Sequence, residues 1–318
     1  MSTLIINSVD LASVADMVTA TKAVEDAFLA YGHGNAEMPP KVYLDLPDIG
    51  GDFRAMPARA GEFSGLKWVN CHPSNPVRHG LPTVLGTYIL SDSTTGMPLA
   101  ILDGTLLTAL RTGAAAGVAS KYLAPPNTST LGIIGCGAQA AHFIAAHRVF
   151  FPDIQVLCHD RNQEAAAKIA EECDGTVVGL EEAAGCDVVC TGTPSRQPFI
   201  TPEMLKQAVH INAMGADAEG KQELCAEVLA KALVVIDDEA QAVHSGEVNV
   251  PIHDGTYSVS QIHGSLGEVV GRLKTGRSTT SPWTVFDSTG LAIQDLFLAK
   301  ECYLAAKRLG RGQTVELV

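Results

Sequence analysis

The sequence predicts an α/β chain: a doubly wound, mostly parallel sheet together with an antiparallel α+β domain formed from both chain ends. Three observations lead there. From Thr130 onward, short apolar runs alternate with helical stretches, the pattern of βαβ units. Before that, short extended pieces are separated by Gly and Pro, which suits antiparallel strands. Between the two, Pro125-Pro126-Asn127 ends a helix and marks a hinge. The expected domains are residues 1–124 with 291–318, and residues 125–290.

Residues 3–6 read as a first strand. Val14 to Tyr31 is a helix candidate, because Ala15, Val18, Ala23, Ala27, Phe28 and Tyr31 are spaced for one buried face. Gly32 and Gly34 stop it. Extended pieces follow at Val42 to Leu46, Asp52 to Pro57, Gly65 to Asn70, Thr83 to Leu90 and Leu99 to Leu102. Gly104 to Leu123 is a second helix, with Arg111 in its middle. In the later part, strands are expected at 131–134, 154–160, 176–178, 187–191, 209–214, 233–237 and 283–287. Helices are expected between them at 138–149, 162–173, 202–207, 222–231 and 265–273. Gly290 to Leu309 reads as a long amphipathic helix that returns to the first domain, and Thr314–Val318 closes the chain.

With 318 residues, 46% of them hydrophobic, the chain has material for about two cored domains. The formal net charge of −13 argues against a nucleic-acid backbone or an anionic membrane as partner. No apolar run is long enough to span a bilayer, and the first residues lack the features of a signal peptide. The eight cysteines contain no Cys-x-x-Cys pair, and the histidines have no metal-ligand spacing. Reduced thiols, no metal and a cytoplasmic location are the expectation.

Leu131 to Ile134 reads as a short buried strand, and Gly135-Cys136-Gly137-Ala138-Gln139-Ala140 after it fits G-x-G-x-x-G/A. Each position has a physical task in a dinucleotide site. Gly135 permits the tight turn, Gly137 lets backbone approach a pyrophosphate, and Ala140 lets the helix pack close to the sheet. The helix start offers N–H groups and a positive dipole end. The next strand ends at Asp160, 20 positions after Ala140, placed to accept from the adenine ribose hydroxyls. That favours NAD over NADP, although Arg161 beside it could take a 2′-phosphate.

In an open parallel sheet, ligands bind beyond the carboxyl ends of the strands. There the sequence places Thr193 after 187–191; Ala213, Gly215, Asp217 and Lys221 at and after the end of 209–214; and Ser288 after 283–287. Asp217 is a strand-end acid among glycines, readable equally as a turn or helix-cap residue. The first domain holds Arg54, Lys67 and Arg111 in apolar surroundings. A buried charge is expensive unless paired, and an anionic substrate is one possible partner; a snorkelling side chain or a structural ion pair is the other.

At Lys67-Trp68-Val69-Asn70-Cys71-His72-Pro73, Leu110-Arg111-Thr112-Gly113-Ala114, Gly135-Cys136-Gly137-Ala138-Gln139, Gly215-Ala216-Asp217 through Leu224, and Val285 through Gly290, the chain resembles the ornithine cyclodeaminase/μ-crystallin family. Met38-Pro39-Pro40-Lys41-Val42-Tyr43 and Arg54-Ala55-Met56-Pro57 make it most similar to the archaeal-type alanine dehydrogenases within it. The resemblance implies a homodimer built through the antiparallel domain, with NAD bound between the domains. It implies that Lys67 and Arg111, with Lys41 and Arg54 nearby, hold the substrate's carboxylate or carbonyl, and that Asp217 is the acid/base. Thr83, Arg111, Ala138, Gln139, Asp160, Thr193, Lys221 and Ser288 fall where the family contacts the dinucleotide or its neighbours. Ornithine cyclodeaminases carry a Glu where this chain has Arg54, and a cation there should repel ornithine's distal ammonium. The expected activity is interconversion of a small L-amino acid, alanine first, with its 2-oxo acid and ammonia. The alternatives are ornithine cyclodeamination, reduction of an imino acid, and a non-catalytic ligand store.

Overall fold

The structure is a computed structural model that describes residues 2–278 and 282–317. It divides into two compact units, Met1–Arg111 with Leu291–Val318, and Thr112–Gly290. The division falls inside the helix Gly104–Leu123 and not at the prolines that follow it. Two glycines explain this. A Cβ at Gly113 would lie 2.5 Å from the His142 carbonyl oxygen, and one at Gly117 would lie 2.9 Å from Ala146. The later turns of the helix are thereby packed tightly on the helix Ala140–Phe150.

The first unit holds an eight-stranded sheet. Its order is Gln313–Val315, Thr3–Ile6, Pro98–Asp103, Val84–Asp92, Phe63–Cys71 and Gly51–Ala60, with Ala36–Glu37 and Val42–Leu46 both pairing to the last. The predicted strands are present, most of them longer by a few residues. One pairing departs from the antiparallel expectation: Thr3–Ile6 runs parallel to Pro98–Asp103. No hairpin joins these two, so nothing local forces the antiparallel sense. The expected helix Val14 to Tyr31 is Met17–Gly32, and a separate helix, Ser8–Val14, precedes it. Each has its own N-cap: Asn7 accepts from the Asp10 N–H at 2.9 Å, and Asp16 from the Thr19 N–H at 2.7 Å. The last helix, Ala292–Leu309, packs on Met17–Gly32 and on the strands Gly51–Ala60 and Phe63–Cys71.

The second unit is built on an eight-stranded, all-parallel sheet. Its order is Thr176–Val177, Gln155–His159, Thr130–Ile134, Val188–Thr191, Val209–Ala213, Trp283–Asp287, Leu233–Ile236 and Gly264–Ser265. The chain order reverses between Thr130–Ile134 and Val188–Thr191, which makes their carboxyl ends the switch point where such sheets bind ligands. Three helical expectations shrink to about half, one of them from 265–273 to Leu266–Val270. Residues 202–207 contain only the 3-10 turn Pro202–Met204, and 222–231 becomes Ala226–Lys231. The short helices Asn75–His79, Leu180–Ala184, Glu239–Ser245 and Asn249–His253 were not anticipated, being too short for periodicity to register. The expected terminal segment Thr314–Val318 overlaps the strand Gln313–Val315, and its last residue lies outside the described residues.

Gly132 in the strand Thr130–Ile134 gives a direct test of packing. A Cβ there would sit 1.9 Å from the Ala183 carbonyl oxygen. That atom is backbone and cannot swing aside. Gly132→Ala is therefore expected to destabilise by about 3 kcal/mol, measured by urea unfolding.

Candidate active site

Side-chain alternation along the paired strands puts Arg54, Met56 and Lys67 on the buried side of the first unit's sheet, with Met56 directly opposite Lys67. Lys67 is fully buried. Its Nζ lies 2.8 Å from Asp295 Oδ2 and donates to Asp295 Oδ1 at 3.0 Å and Thr108 Oγ1 at 3.2 Å. Arg111 Nε lies 3.3 Å from the same Asp295 Oδ1, and its Nη1 donates to Gln294 Oε1 at 3.2 Å. Two cations thus share one carboxylate, which leaves the group net positive in a dry place. Burial and the neighbouring Arg111 charge pull the Lys67 ammonium down to about 7, against the pull of Asp295; the half-buried Lys41 adds to the repulsion. Asp295, Gln294 and Thr108 were not anticipated from sequence.

Arg54 is placed differently. It forms a paired contact with Asp52, at 2.9 Å from Nε to Oδ1 and 2.9 Å from Nη2 to Oδ2, and its guanidinium lies over the Tyr43 ring. That carboxylate offsets the charge that would repel a cationic substrate. Thr83 is half-buried, and its carbonyl accepts from the His72 N–H at 2.7 Å.

In the second unit, Gly135 has φ of 99°, where a side chain would be strained, and a Cβ there would lie 2.8 Å from the Gly192 carbonyl. Asp160 Oδ2 accepts from the Cys136 N–H at 2.7 Å and Oδ1 from the Asn162 N–H at 2.7 Å. The acid is therefore oriented by the glycine turn itself. A Cβ at Gly137 would meet no protein atom within 4 Å. Gln139 precedes the helix Ala140–Phe150, and its Oε1 is buried with no hydrogen-bond partner among the described residues. Ala138 and Arg161 are exposed. Asp217 Oδ1 accepts from Lys221 Nζ at 2.5 Å, so these two expected site residues are partners of each other. The Ala213 carbonyl accepts from the Ser288 N–H at 3.1 Å.

Beneath this rim lies a series of buried acids. Glu223 Oε1 accepts from the Thr193 N–H at 2.8 Å and Thr193 Oγ1 at 2.7 Å; its Oε2 accepts from Thr191 Oγ1 at 2.6 Å and the Gly215 N–H at 2.9 Å. The N–H groups of Glu223 and Leu224 donate to Glu247 Oε1 at 2.8 and 2.6 Å, which holds this stretch extended and delays the helix until Ala226. The Glu247 N–H donates to Asp287 Oδ1 at 2.8 Å. Asp237 Oδ2 accepts from the N–H groups of Thr289 and Gly290 at 2.6 and 2.7 Å. Burial pushes the Glu223 carboxyl up, with its four donors opposing; it pushes Glu247 well up, and Asp287 to about 8.

Among the described residues no group of His, Cys, Asp and Glu is arranged to hold a metal, and no helix is long and apolar enough to cross a membrane. None of the eight cysteines is disulfide-bonded.

The chain is 48% identical over 308 residues to the alanine dehydrogenase of Archaeoglobus fulgidus, covering 95% of both chains. Its structure matches that of an archaeal alanine dehydrogenase dimer with bound NAD at a TM-score of 0.96 and 47% identity, covering 100% of both. It matches the Δ1-pyrroline-2-carboxylate reductase of Thermococcus litoralis, in complex with NADH and L-proline, at a TM-score of 0.93 and 32% identity, covering 98% of this chain and 100% of that one. The sequence profile of the ornithine cyclodeaminase/mu-crystallin family matches residues 1–308, and the chain belongs to that family.

Proposed function

We propose that the chain is an NAD-dependent dehydrogenase that interconverts a small L-amino acid, alanine first, with its 2-oxo acid and ammonia. The observation that carries this is the buried, net-positive group of Lys67 and Arg111 on the single carboxylate of Asp295. A 2-oxo or amino acid brings the missing negative charge, and a guanidinium suits a carboxylate. Lys67, drawn down to about 7, can hold or release a proton near neutral pH, so it can donate to the substrate's carbonyl oxygen and take the proton back. Asp217 serves the nitrogen or the attacking water, and Lys221 holds its carboxylate in position.

Three features of the second unit support a dinucleotide. Among the described residues the Gln139 Oε1 has no partner and Gly137 has no neighbour that requires glycine, and Asp160 is held at the turn where ribose hydroxyls would be bound. Bound NAD supplies hydride chemistry. Gly135, Gly137, Ala138, Gln139, Asp160, Thr193, Ala213, Gly215 and Ser288 are the residues that would hold it, and the negative charge of Asp160 favours NAD over NADP. A homodimer fits the sheet of the first unit, where Phe53 and the part-exposed Trp68 stack at 5.1 Å. The free thiols suit a cytoplasmic protein.

A second reading, reduction of a cyclic imino acid, is favoured by the likeness to the T. litoralis reductase and needs the same charged group. An NADH-oxidation screen separates the two: 2-oxo acids with ammonia on one side, pyrroline-2-carboxylate on the other, with ornithine included and proline assayed as product. Pyruvate with ammonia is expected to give the highest rate. Proline formed from ornithine with no net change in NADH would overturn the dehydrogenase reading.

A further inference from the structure

We infer that Glu223 is a positioning residue for the dinucleotide: one buried carboxylate that fastens together the loops following two neighbouring strands. The inference rests on the dinucleotide reading above. Thr193 follows the strand Val188–Thr191, and Gly215 follows Val209–Ala213; both lie at the carboxyl ends where an open parallel sheet takes its ligand. Glu223 accepts from the Thr193 N–H and hydroxyl with one oxygen, and from Thr191 and the Gly215 N–H with the other. Four donors on two oxygens are what an ionised carboxylate can accept and a neutral amide cannot. The two loops are also in close approach, since a Cβ at Gly215 would lie 2.3 Å from the Thr193 carbonyl oxygen. Without the acid, the N–H groups of Thr193 and Gly215 would lose their common acceptor.

The position of Glu223 is itself imposed. Its N–H is held by Glu247, whose own N–H is held by Asp287 at the end of the strand Trp283–Asp287. Each acid fixes the backbone of the one before it. The third loop of the rim, at Ser288, starts from the last of these acids, and its next residues, Thr289 and Gly290, are held by Asp237. A purely apolar core would stabilise the sheet at lower cost, because every buried carboxyl has to be desolvated. What the carboxyls add is a set position for three loops at one edge.

The test uses the full chain. Glu223→Gln keeps the size and replaces one acceptor oxygen by an NH2 that opposes a backbone donor. NADH affinity is read by fluorescence titration, well below the thermal midpoint of each variant. Glu223→Gln is expected to raise the NADH Kd about tenfold, the equivalent of one lost hydrogen bond to a charged group. In turnover, KM for NADH should rise while kcat at saturating NADH stays within about twofold, a split that general loss of stability does not produce. If that variant does not fold, Thr191→Val makes the same test. Thr191 is fully buried, and among the described residues its hydroxyl bonds to Glu223, so removing that hydroxyl tests the carboxylate's hold. It is expected to raise the Kd about threefold, a fraction of a full hydrogen bond. Folded variants that bind NADH as tightly as wild type would overturn the role of Glu223. A wild-type chain that binds neither NADH nor NADPH would overturn the dinucleotide reading, and this inference with it.

Discussion

Asp217→Asn is expected to leave NADH binding largely intact and to cut turnover by about a hundredfold or more, the lower end of what general acid–base catalysis contributes. The amide keeps the shape of the side chain and can still accept from Lys221. It cannot exchange a proton with an amine or a water. Steady-state rates with pyruvate and ammonia, set beside an NADH titration of the same preparation, check this. Near-normal turnover would remove Asp217 from the chemistry.

Asp295→Asn is expected to have the second large effect, on both stability and rate. The substitution leaves Lys67 and Arg111 buried with no counter-charge, and breaking a buried pair by removing one partner costs about 3–5 kcal/mol. Urea unfolding measures that loss. The rate profile supplies an independent sign. Asp295 is what favours the charged form of Lys67, whose ammonium is already drawn down to about 7. Removing the carboxylate lowers it further, so the limb of the pH–rate profile that reports Lys67 should move to more acid pH. A limb that stays in place would mean that Lys67 does not govern it.

Lys67 and Arg111 were legible in the sequence because a cation in an apolar run has few cheap explanations. Their shared partner was not. Asp295 stands in the first turn of the helix Ala292–Leu309, where an acid reads as complementing the helix dipole. Only the packing of that helix on the strand Phe63–Cys71 gives it another task. The glycine turn and Asp160 were likewise readable, since their spacing is set within one βαβ unit. Glu223, Glu247, Asp287 and Asp237 come from four separate segments. Each alone reads as an ordinary loop or strand-end acid, and their relation exists only once parallel pairing has brought the strand ends side by side. Arg54 shows the opposite limit: its residue type was informative, but its partner Asp52 lies two positions away on the same strand and takes up the charge.

The first unit is completed by the final stretch of chain. Gln313–Val315 pairs with the opening strand Thr3–Ile6, and the helix before it carries Asp295. During synthesis the ribosome therefore releases Lys67 and Arg111 long before the carboxylate they share. Until Asp295 emerges, burying those two cations is unfavourable, so the early segment has an electrostatic reason to stay open while the middle of the chain, which needs neither end, can fold first.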